Sequence, residues 1–435
     1  MNVGEGANGS SEGYFFLQHT RPISLAGLAS GQVTDSPHLP IVQRANPPEV
    51  PGLTDVQPER TGTDFGMDTI FKYTSNDHEV LKTVFLCVKL APLDPGAGGN
   101  TARYPDDVLQ QSIEWAEWQI GGTVLQRLWG DEMHAKQLRS LIPEDLATAY
   151  ELQRAGLTDA ERADLADPAL NPDGFWVYLE IPFWWTETAN KHWHQYSCQR
   201  ATRLQIHWRS PDYILQQNVA NTRPLPHGGA LYIKDLFLRF MVSALSTDVK
   251  NSYVEAVKGF GSNGIMTLLT YEQRQENNIV LAGSTGTQIQ MTNFNKPTYL
   301  VLIMIRREAD LQPNYLRNRR FVYMPLSSYY SDASGHRLHA KLTDLFAKYA
   351  MNGQEFPGDP TVNLYYIFHS DYADVVQYPM GNMEYGRLQN PTLTIGWDAA
   401  IPENYQIDLY AKCYNYVRLV ISSEGRSGVA LEQPI

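Results

Sequence analysis

The sequence predicts an all-β chain, with two tandem antiparallel sandwiches that carry helical insertions in their loops. Short segments in which apolar and polar residues alternate, rich in β-branched and aromatic side chains, recur from about residue 64 to residue 421. The chain has 435 residues, more than the ~250–300 that one hydrophobic core supports. A stretch rich in proline and glycine, 221–229, divides the β-rich part almost in half. These features together predict two β-domains of similar size.

The first 60 residues are predicted to form an extended N-terminal arm. They contain seven prolines and show no sustained apolar periodicity. Such an arm needs a surface to dock on, and we expect it to contribute little to either sandwich. Deletion of residues 2–55 is therefore expected to leave both sandwiches folded.

The first sandwich is predicted over residues 61–214. Its clearest strands, in which apolar residues alternate with polar ones, are 84–90, 116–120, 175–183 and 204–208. A helical insert is predicted at about 131–170, because Thr158 and Glu161 have the spacing of a capping box.

A linker over 215–228 is predicted to lead into the second sandwich, 229–435. This half is expected to start with the strand that contains Leu236 and Leu238 and to end with 407–421. Leucines and aromatic residues share one helical face over 338–349, which predicts a helix there. A short likeness between 85–88 and 237–240, each near the start of its half, is too small to establish a duplication.

Charge and cysteine content narrow the class of protein. The net charge of −12 has the wrong sign for general binding to phosphate backbones. Cys87, Cys198 and Cys413 are odd in number and far apart, which suits a reducing compartment rather than a disulfide framework. The N-terminus does not resemble a secretory signal, and the longest apolar run, 299–305, is too short to span ~30 Å of hydrocarbon.

No motif in the sequence supports a catalytic, metal or cofactor site. Residues 259–264 match GxGxxG, yet no acid follows ~20 residues later to bind a ribose, so a loop is favoured. His192, His194 and Cys198 could bind a metal, but no further ligand nearby completes a set of four. His78-Glu79 begins like a zinc-protease helix, but Lys82 stands where the second histidine is needed. We therefore predict no catalytic residue, no metal ligand and no cofactor.

Clusters of charged and aromatic residues have structural interpretations as well as chemical ones. The acids at positions Asp106, Asp107, Glu114 and Glu117 could form a carboxylate pair, although a solvent-facing position is favoured. Arginines concentrate at Arg306, Arg307, Arg317, Arg319 and Arg320. These arginines could contact nucleic acid or an acidic partner, and contact with solvent or another copy of the chain is favoured. The tryptophans could form a sugar-binding platform, but packing in a core or interface is favoured, at Trp176, Trp184, Trp185 and Trp193.

Several sequence blocks follow one another in a characteristic order: 64–93, 112–122 with its WQIGG ending, 179–184, 293–297, 366–390 and 414–419. In this order they resemble the double jelly-roll major capsid proteins of nucleocytoplasmic large DNA viruses. The blocks together cover most of 64–431. The usual N-terminal apolar motif of the family is not evident in residues 1–60, and the predicted helix at 338–349 stands where the family has an extended loop.

The resemblance implies two tandem eight-stranded antiparallel jelly rolls in a major capsid protein. It implies pseudo-hexagonal homotrimeric capsomers that form the icosahedral shell of a large double-stranded DNA virus. The implied partners are further copies of the chain, minor capsid proteins and penton proteins, with no specific nucleic acid. Whether an internal membrane layer lies beneath the shell is left open. The implied location is the virion capsid, assembled in the host cell cytoplasm.

Two alternatives share the predicted fold. A glycan-processing enzyme built from two jelly rolls would need carboxylates that converge between the domains. Near the linker, however, Arg209, Asp212 and Asn221 include one acid. A viral scaffold or minor capsid protein with the same barrels is the second alternative. We predict a structural protein and not an enzyme.

Overall fold

The computed structural model describes residues 49–432 with gaps. The residues left out between these bounds are 61, 75–78, 97–99, 141–155, 187–192, 196–200, 220–221, 230, 246, 248–250, 252–264, 317, 319–323, 345–362, 370–381 and 422–426. The strands of the first half are β1 (Glu49–Val56), β2 (Asp68–Tyr73), β3 (Glu79–Leu90), β4 (Leu93–Asp94), β5 (Ala102–Arg103), β6 (Ile113–Ile120), β7 (Thr123–Trp129), β8 (Phe175–Glu180), β9 (Trp193–His194), β10 (Thr202–Trp208), β11 (Gln216–Gln217), β12 (Leu225–Pro226) and β13 (Ile233–Leu245). The helices are α1 (Val108–Ser112), α2 (Gly130–Ser140), α3 (Asp159–Ala166) and α4 (Pro211–Ile214).

The regular elements of the second half are almost all strands in the part that the structure describes. They are β14 (Ile265–Val280), β15 (Gly286–Gln290), β16 (Thr298–Arg307), β17 (Ser328–Ala333), β18 (His336–Thr343), β19 (Tyr365–Phe368), β20 (Thr392–Gly396), β21 (Tyr405–Ile421) and β22 (Ser427–Glu432). Two 3-10 turns, Glu308–Asp310 and Tyr385–Arg387, lie in the loops.

Each half forms a jelly roll from two antiparallel sheets. In the first barrel, sheet 1a has the order β1-β13-β3-β8 and sheet 1b has the order β2-β10-β6-β7. In the second barrel, sheet 2a has the order β14-β21-β16-β19 and sheet 2b has the order β15-β20-β17-β18. When the eight main strands of each described barrel are numbered along the chain, both barrels have the orders 1-8-3-6 and 2-7-4-5. The predicted fold of two tandem eight-stranded jelly rolls is confirmed.

Each barrel encloses its own apolar core. The inward residues of β3 and β13, such as Leu86 and Leu238, pack against Trp118 and Trp208 of sheet 1b. Trp184, Trp185 and Trp193 also belong to this core, so packing and not a sugar platform accounts for them. In the second core, Ile303 and Leu409 of sheet 2a pack with Tyr329 and Ile395 of sheet 2b. No helix among the described residues is long and apolar enough to span a membrane.

The predicted arm ends earlier than residue 60, because β1 belongs to the first barrel. Its residues pair with β13 along the whole strand, from Glu49 opposite Leu245 to Val56 opposite Leu238. Pro51 and Gly52 are compatible with this role because β1 lies at the edge of its sheet. An edge strand with one uncovered face shows little apolar periodicity, which is why the sequence did not reveal it. Residues 1–48 lie outside the described residues.

The predicted boundary between the domains is also displaced. The strand β13 completes sheet 1a instead of opening the second barrel, and the predicted linker 215–228 contains β11 and β12. These two short strands pair with β5 and β4 of the first barrel. Proline and glycine indicate turns, which occur within a domain as well as between domains, and alternation reveals a strand but not its sheet. The first barrel therefore runs from Glu49 to Leu245, and the second begins at Ile265.

The likeness between 85–88 and 237–240 has a different origin from a duplication. Leu86 lies directly opposite Leu238 in sheet 1a, so the two segments are neighbouring strands of one barrel. Similar composition is expected for two central strands that face the same core.

The helix predicted at 338–349 is wrong over its first part, which is strand β18. Leu338 and Leu342 are four residues apart, and this spacing places two side chains on the same face of a strand as well as of a helix. Residues 345–349 lie outside the described residues.

The helical insert at about 131–170 is confirmed in part, by α2 and by α3, whose capping box joins Thr158 and Glu161. Residues 141–155 of this insert are also outside the described residues.

We expect a deletion of residues 2–55 to destabilise the first barrel, because it removes nearly all of β1 and leaves one edge of β13 unpaired. A deletion of residues 2–48 is the matched control, since it stops before the strand. Thermal unfolding followed by circular dichroism should give a midpoint at least ~5 °C lower for the longer deletion. Equal midpoints for the two truncated proteins would contradict the assignment of β1 to the barrel.

Candidate functional site

The junction between the two barrels is formed by helix α2 and the outer face of sheet 2a. Helix α2 follows β7 directly, and its Met133 packs into the first core while Ala135 contacts the second barrel. Ala135 packs in one apolar cluster with Leu364, just before β19, and with residues of sheet 2a, namely Tyr299, Leu300, Leu302, Met304, Tyr366, Tyr410 and Tyr414. Strand β16 is therefore buried on both faces, which explains the continuous apolar run at 299–305.

A buried ionic network crosses this junction. Arg306 of β16 is fully buried, and its Nη1 lies 2.8 Å from Oδ2 of Asp131 in α2. Its Nη2 donates to Asp408 of β21. Arg209, which follows β10 in the first barrel, approaches the other oxygen of Asp131 at 3.1 Å. Two carboxylates and two guanidinium groups thus compensate one another at a largely buried site, as buried charges require.

A second ion pair lies one residue further along α2. Oε1 of Glu132 is 2.7 Å from Nζ of Lys412 on β21, and Glu272 on β14 approaches the same ammonium group at 3.8 Å. In the pairs Arg306–Asp131 and Lys412–Glu132, an acid of α2 in the first barrel meets a base of the second barrel. Asp131 and Glu132 both occupy the first turn of α2, where negative charge is favoured by the helix dipole.

Aromatic and backbone contacts extend the junction around Trp129 at the end of β7. The guanidinium of Arg274 lies 4.8 Å from the centre of the Trp129 ring, within the range of a cation–π interaction. The backbone N–H of Trp129 donates to Glu272 at 3.4 Å.

The loop after β16 is fastened to the first barrel by amide hydrogen bonds. The side-chain nitrogen of Asn318 donates to the carbonyl oxygens of Asp212 and Leu215, each at 2.7 Å. Gln216 donates back to the carbonyl oxygen of Asn318. The hydroxyl of Tyr315 donates to Asp212 at 2.7 Å, and burial together with this hydrogen bond raises the pKa of Tyr315. This tyrosine therefore remains a donor at neutral pH.

Glycine is required at the corner where β7 becomes α2. A Cβ atom on Gly130 would lie 1.9 Å from the carbonyl oxygen of Ile113 and 2.3 Å from that of Gln110. Both contacts are far shorter than a van der Waals separation, and both partners are backbone atoms. The close approach of the helix to the first barrel therefore depends on the missing side chain.

The arginine cluster has a different role from the one predicted. For Arg306, the favoured prediction of contact with solvent or with another copy of the chain is wrong, because its acidic partners Asp131 and Asp408 lie in the same chain. Arg307 is near Asp310 and Glu403, at 3.8 and 3.6 Å. Arg317, Arg319 and Arg320 lie outside the described residues. The sequence could not reveal the pairing, because Asp131, Arg306 and Asp408 are distant along the chain.

The predicted acids have partners of their own instead of a shared site. Glu117 is 3% exposed and accepts a hydrogen bond from Arg127 at 2.6 Å, so its predicted solvent-facing position is wrong. Asp107 lies 2.7 Å from Nδ1 of His134, and Glu114 lies 3.5 Å from Nε2 of His207. Burial, with the neighbouring charge of Asp107, raises the pKa of Asp106 to about 6.

The other candidate motifs fall largely outside the described residues. These are His78, His192, Cys198 and the glycine-rich segment 259–264, while only the backbone of His194 is described. Within the described part of the chain, no three or more His, Cys, Asp or Glu side chains form a group that could hold a metal ion. Cys87 and Cys413 are buried free thiols.

Comparison with known proteins identifies solved structures that share this architecture. No family model matches the sequence, and no curated protein matches it. Solved structures do match over nearly the whole chain. The PBCV-1 VP54 structure fitted into a reconstruction of the virophage Sputnik has a TM-score of 0.65 at 14% identity, and the match covers 88% of this chain and 98% of that one. The Faustovirus major capsid protein has a TM-score of 0.64 at 9% identity, with 91% and 96% covered.

A quasi-atomic model of the PBCV-1 virus capsid has a TM-score of 0.61 at 14% identity, with 88% of this chain and 98% of that one covered. At such low identities the matches establish the fold, and the fold they share includes both barrels in the same order. The chain thus has the double jelly-roll fold of viral major capsid proteins, as its sequence resemblance predicts.

Proposed function

We propose that this chain is a major capsid protein that assembles as pseudo-hexagonal homotrimeric capsomers in the icosahedral shell of a large double-stranded DNA virus. The observation that carries the proposal is the double jelly roll itself, matched at both barrels to a protein named as the Faustovirus major capsid protein and to a PBCV-1 capsid structure. The sequence blocks that resemble this family support the same function.

The junction supports a role that needs a rigid subunit. A shell is tiled by copies of one shape, so the angle between the two barrels has to be the same in every copy. Buried ion pairs are compatible with few geometries, because a small displacement leaves a charge both desolvated and unpaired. The pairs Arg306–Asp131 and Lys412–Glu132 therefore disfavour other angles between the barrels. Three chains of two such barrels provide the six units of a hexagonal outline.

The geometry favours this function over the enzyme alternative. A polar cleft of ≈ 500 Å³ lies at the junction, and its lining includes Glu114, Asp131, Arg209 and Arg306. Asp131 is held by both of these arginines. A carboxylate paired in this way is stabilised in its charged form, which makes it a poor general acid. We therefore propose a structural and non-enzymatic role.

The partners proposed with this function are further copies of the chain, minor capsid proteins and penton proteins, with no specific nucleic acid. The proposed location is the virion capsid, with assembly in the host cell cytoplasm. The net charge of −12 supports the absence of general nucleic-acid binding.

Purified protein should form trimers with a hexagonal outline. We expect sedimentation velocity to show a mass three times that of the 49.2 kDa chain, and negative-stain images to show six-sided particles or sheets of them. A protein that stays monomeric at high concentration would contradict the proposed function.

Replacement of Arg306 by alanine should destabilise the protein by about 3–5 kcal/mol, because Asp131 and Asp408 would remain buried without their shared cation. Arg337→Ala is a suitable control. Arg337 is an exposed arginine on β18, 4.0 Å from the ring centre of Tyr330, and its loss should cost about 1 kcal/mol or less. Chemical denaturation measures both effects. Equal losses of stability in the two variants would show that the junction does not depend on the Arg306 ion pairs.

A further inference from the structure

The polar cleft between the barrels is large enough to hold a small molecule. Both barrels contribute to its lining, the first through residues such as Arg209 and the second through residues such as Arg274. Tyr213, which is 43% exposed, and the exposed Gln312 also line it, so the cleft is reached from solvent. Its volume of ≈ 500 Å³ lies within the ~300–1,000 Å³ of most small-molecule sites.

Arg209 brings to this lining a donor that lacks an acceptor. Its Nε is buried and has no hydrogen-bond partner among the residues that the structure describes. Its Nη2 lies 3.1 Å from Asp131, whose other oxygen is bound to Arg306. Buried donors in folded proteins nearly always have a partner, and a guanidinium group matches the paired oxygens of a carboxylate or a phosphate. Arg209 therefore indicates an oxyanion as one part of the ligand.

The charges around the cleft favour a ligand with a single negative charge. Three guanidinium groups and two carboxylates line it, from Arg209, Arg274, Arg306, Asp131 and Glu114. Asp408 adds a carboxylate behind Arg306, and His207 of the lining is shared by Glu114 and Asp68. Positive and negative groups are thus nearly balanced. A dianion such as a phosphate monoester would be repelled by these carboxylates, whereas one ligand carboxylate is tolerated beside three guanidinium groups.

The neutral groups of the lining suit a ligand that carries hydroxyl groups. The side-chain nitrogen of Gln406 donates to Asp408 at 2.8 Å, which leaves its carbonyl oxygen to accept from a ligand. The hydroxyl of Ser210 accepts from the backbone N–H of Asp212 at 3.4 Å, which leaves its own proton to donate. The exposed ring of Tyr213 provides a flat apolar surface beside these groups, on which a sugar ring can pack.

We propose that the cleft binds a small hydroxylated carboxylic acid of the sugar-acid class. Its carboxylate accepts hydrogen bonds from Arg209, and its hydroxyl groups bond to Gln406 and Ser210 while Tyr213 packs against its ring. The ligand is bound and not cleaved, since Asp131 is held by both arginines. Because residues of both barrels line the cleft, a bound ligand stabilises the junction as well.

The test is a titration of the full-length protein with glucuronate, followed by saturation-transfer NMR of the ligand. Glucose and glucose 6-phosphate serve as the uncharged and the dianionic probe. We expect saturable binding of glucuronate, and binding at least ~10-fold weaker for each of the other two sugars. Only glucuronate combines a sugar ring with the single negative charge that the lining favours.

Arg209→Gln should weaken glucuronate binding at least ~10-fold, because it removes charge-assisted hydrogen bonds to the carboxylate. Arg103→Gln is the matched control. The side chain of Arg103 is 9% exposed against 13% for Arg209, and each has its Nη2 3.1 Å from an acid, but Arg103 does not line the cleft. The control variant should bind glucuronate like the unmodified protein.

The inference is overturned if glucuronate does not bind, if either of the other sugars binds as tightly, or if the two arginine variants bind glucuronate equally. Should Arg209→Gln fail to fold, as circular dichroism would reveal, Tyr213→Ala decides. This exposed side chain can be shortened at little cost to the fold. We expect Tyr213→Ala to weaken glucuronate binding at least ~3-fold, and unchanged binding would refute the proposed site. The proposed function is tested separately, since trimer formation is measured without the ligand.

Discussion

The buried pairing of Arg306 with Asp131 and Asp408 is the interaction on which the arrangement of the two barrels depends. A desolvated guanidinium is tolerated only with its acids in place, and one of these acids comes from the first barrel. The second barrel can therefore bury the outer face of sheet 2a only when α2 is docked on it. Apolar contacts of Ala135 and Trp129 add area to the junction, but the charges determine its position.

Strand β16 is buried on both faces, and this explains why residues 299–305 are apolar throughout instead of alternating. A strand in an antiparallel sheet usually has one wet face and alternates accordingly, whereas every residue from Thr298 to Arg306 is buried. The partner strand β21 carries Asp408 and Lys412 on the same outer face. The second barrel therefore contributes charges to the junction from both strands, whereas Leu300, Leu302 and Met304 of β16 contribute much of its apolar area.

The strands and the capping box of α3 could be predicted because their signals are local. Alternation around Leu86 or Leu204 and the spacing of Thr158 and Glu161 depend on nearby residues alone. The sheet to which β13 belongs could not be predicted, because its pairing with β3 connects residues about 150 positions apart, such as Phe237 and Cys87. The pairing of Arg306 with Asp131 could not be predicted for the same reason, because these two residues are 175 positions apart. The helix prediction over residues 338–343 was wrong for another reason, because a four-residue spacing of apolar side chains fits a helix and a strand equally.

The pairing of the first strand with the eighth strand has a consequence for how the chain folds during synthesis. Asp55 and Arg239 are 184 positions apart, so sheet 1a cannot close until most of the first half has been made, and such long-range pairing is slow. The two barrels do not overlap along the chain, however, because β13 ends at Leu245 before β14 begins at Ile265. The first barrel can therefore fold as a unit while the second is still being translated. Helix α2 would then be folded before β16 emerges, and sheet 2a could dock against it as it forms.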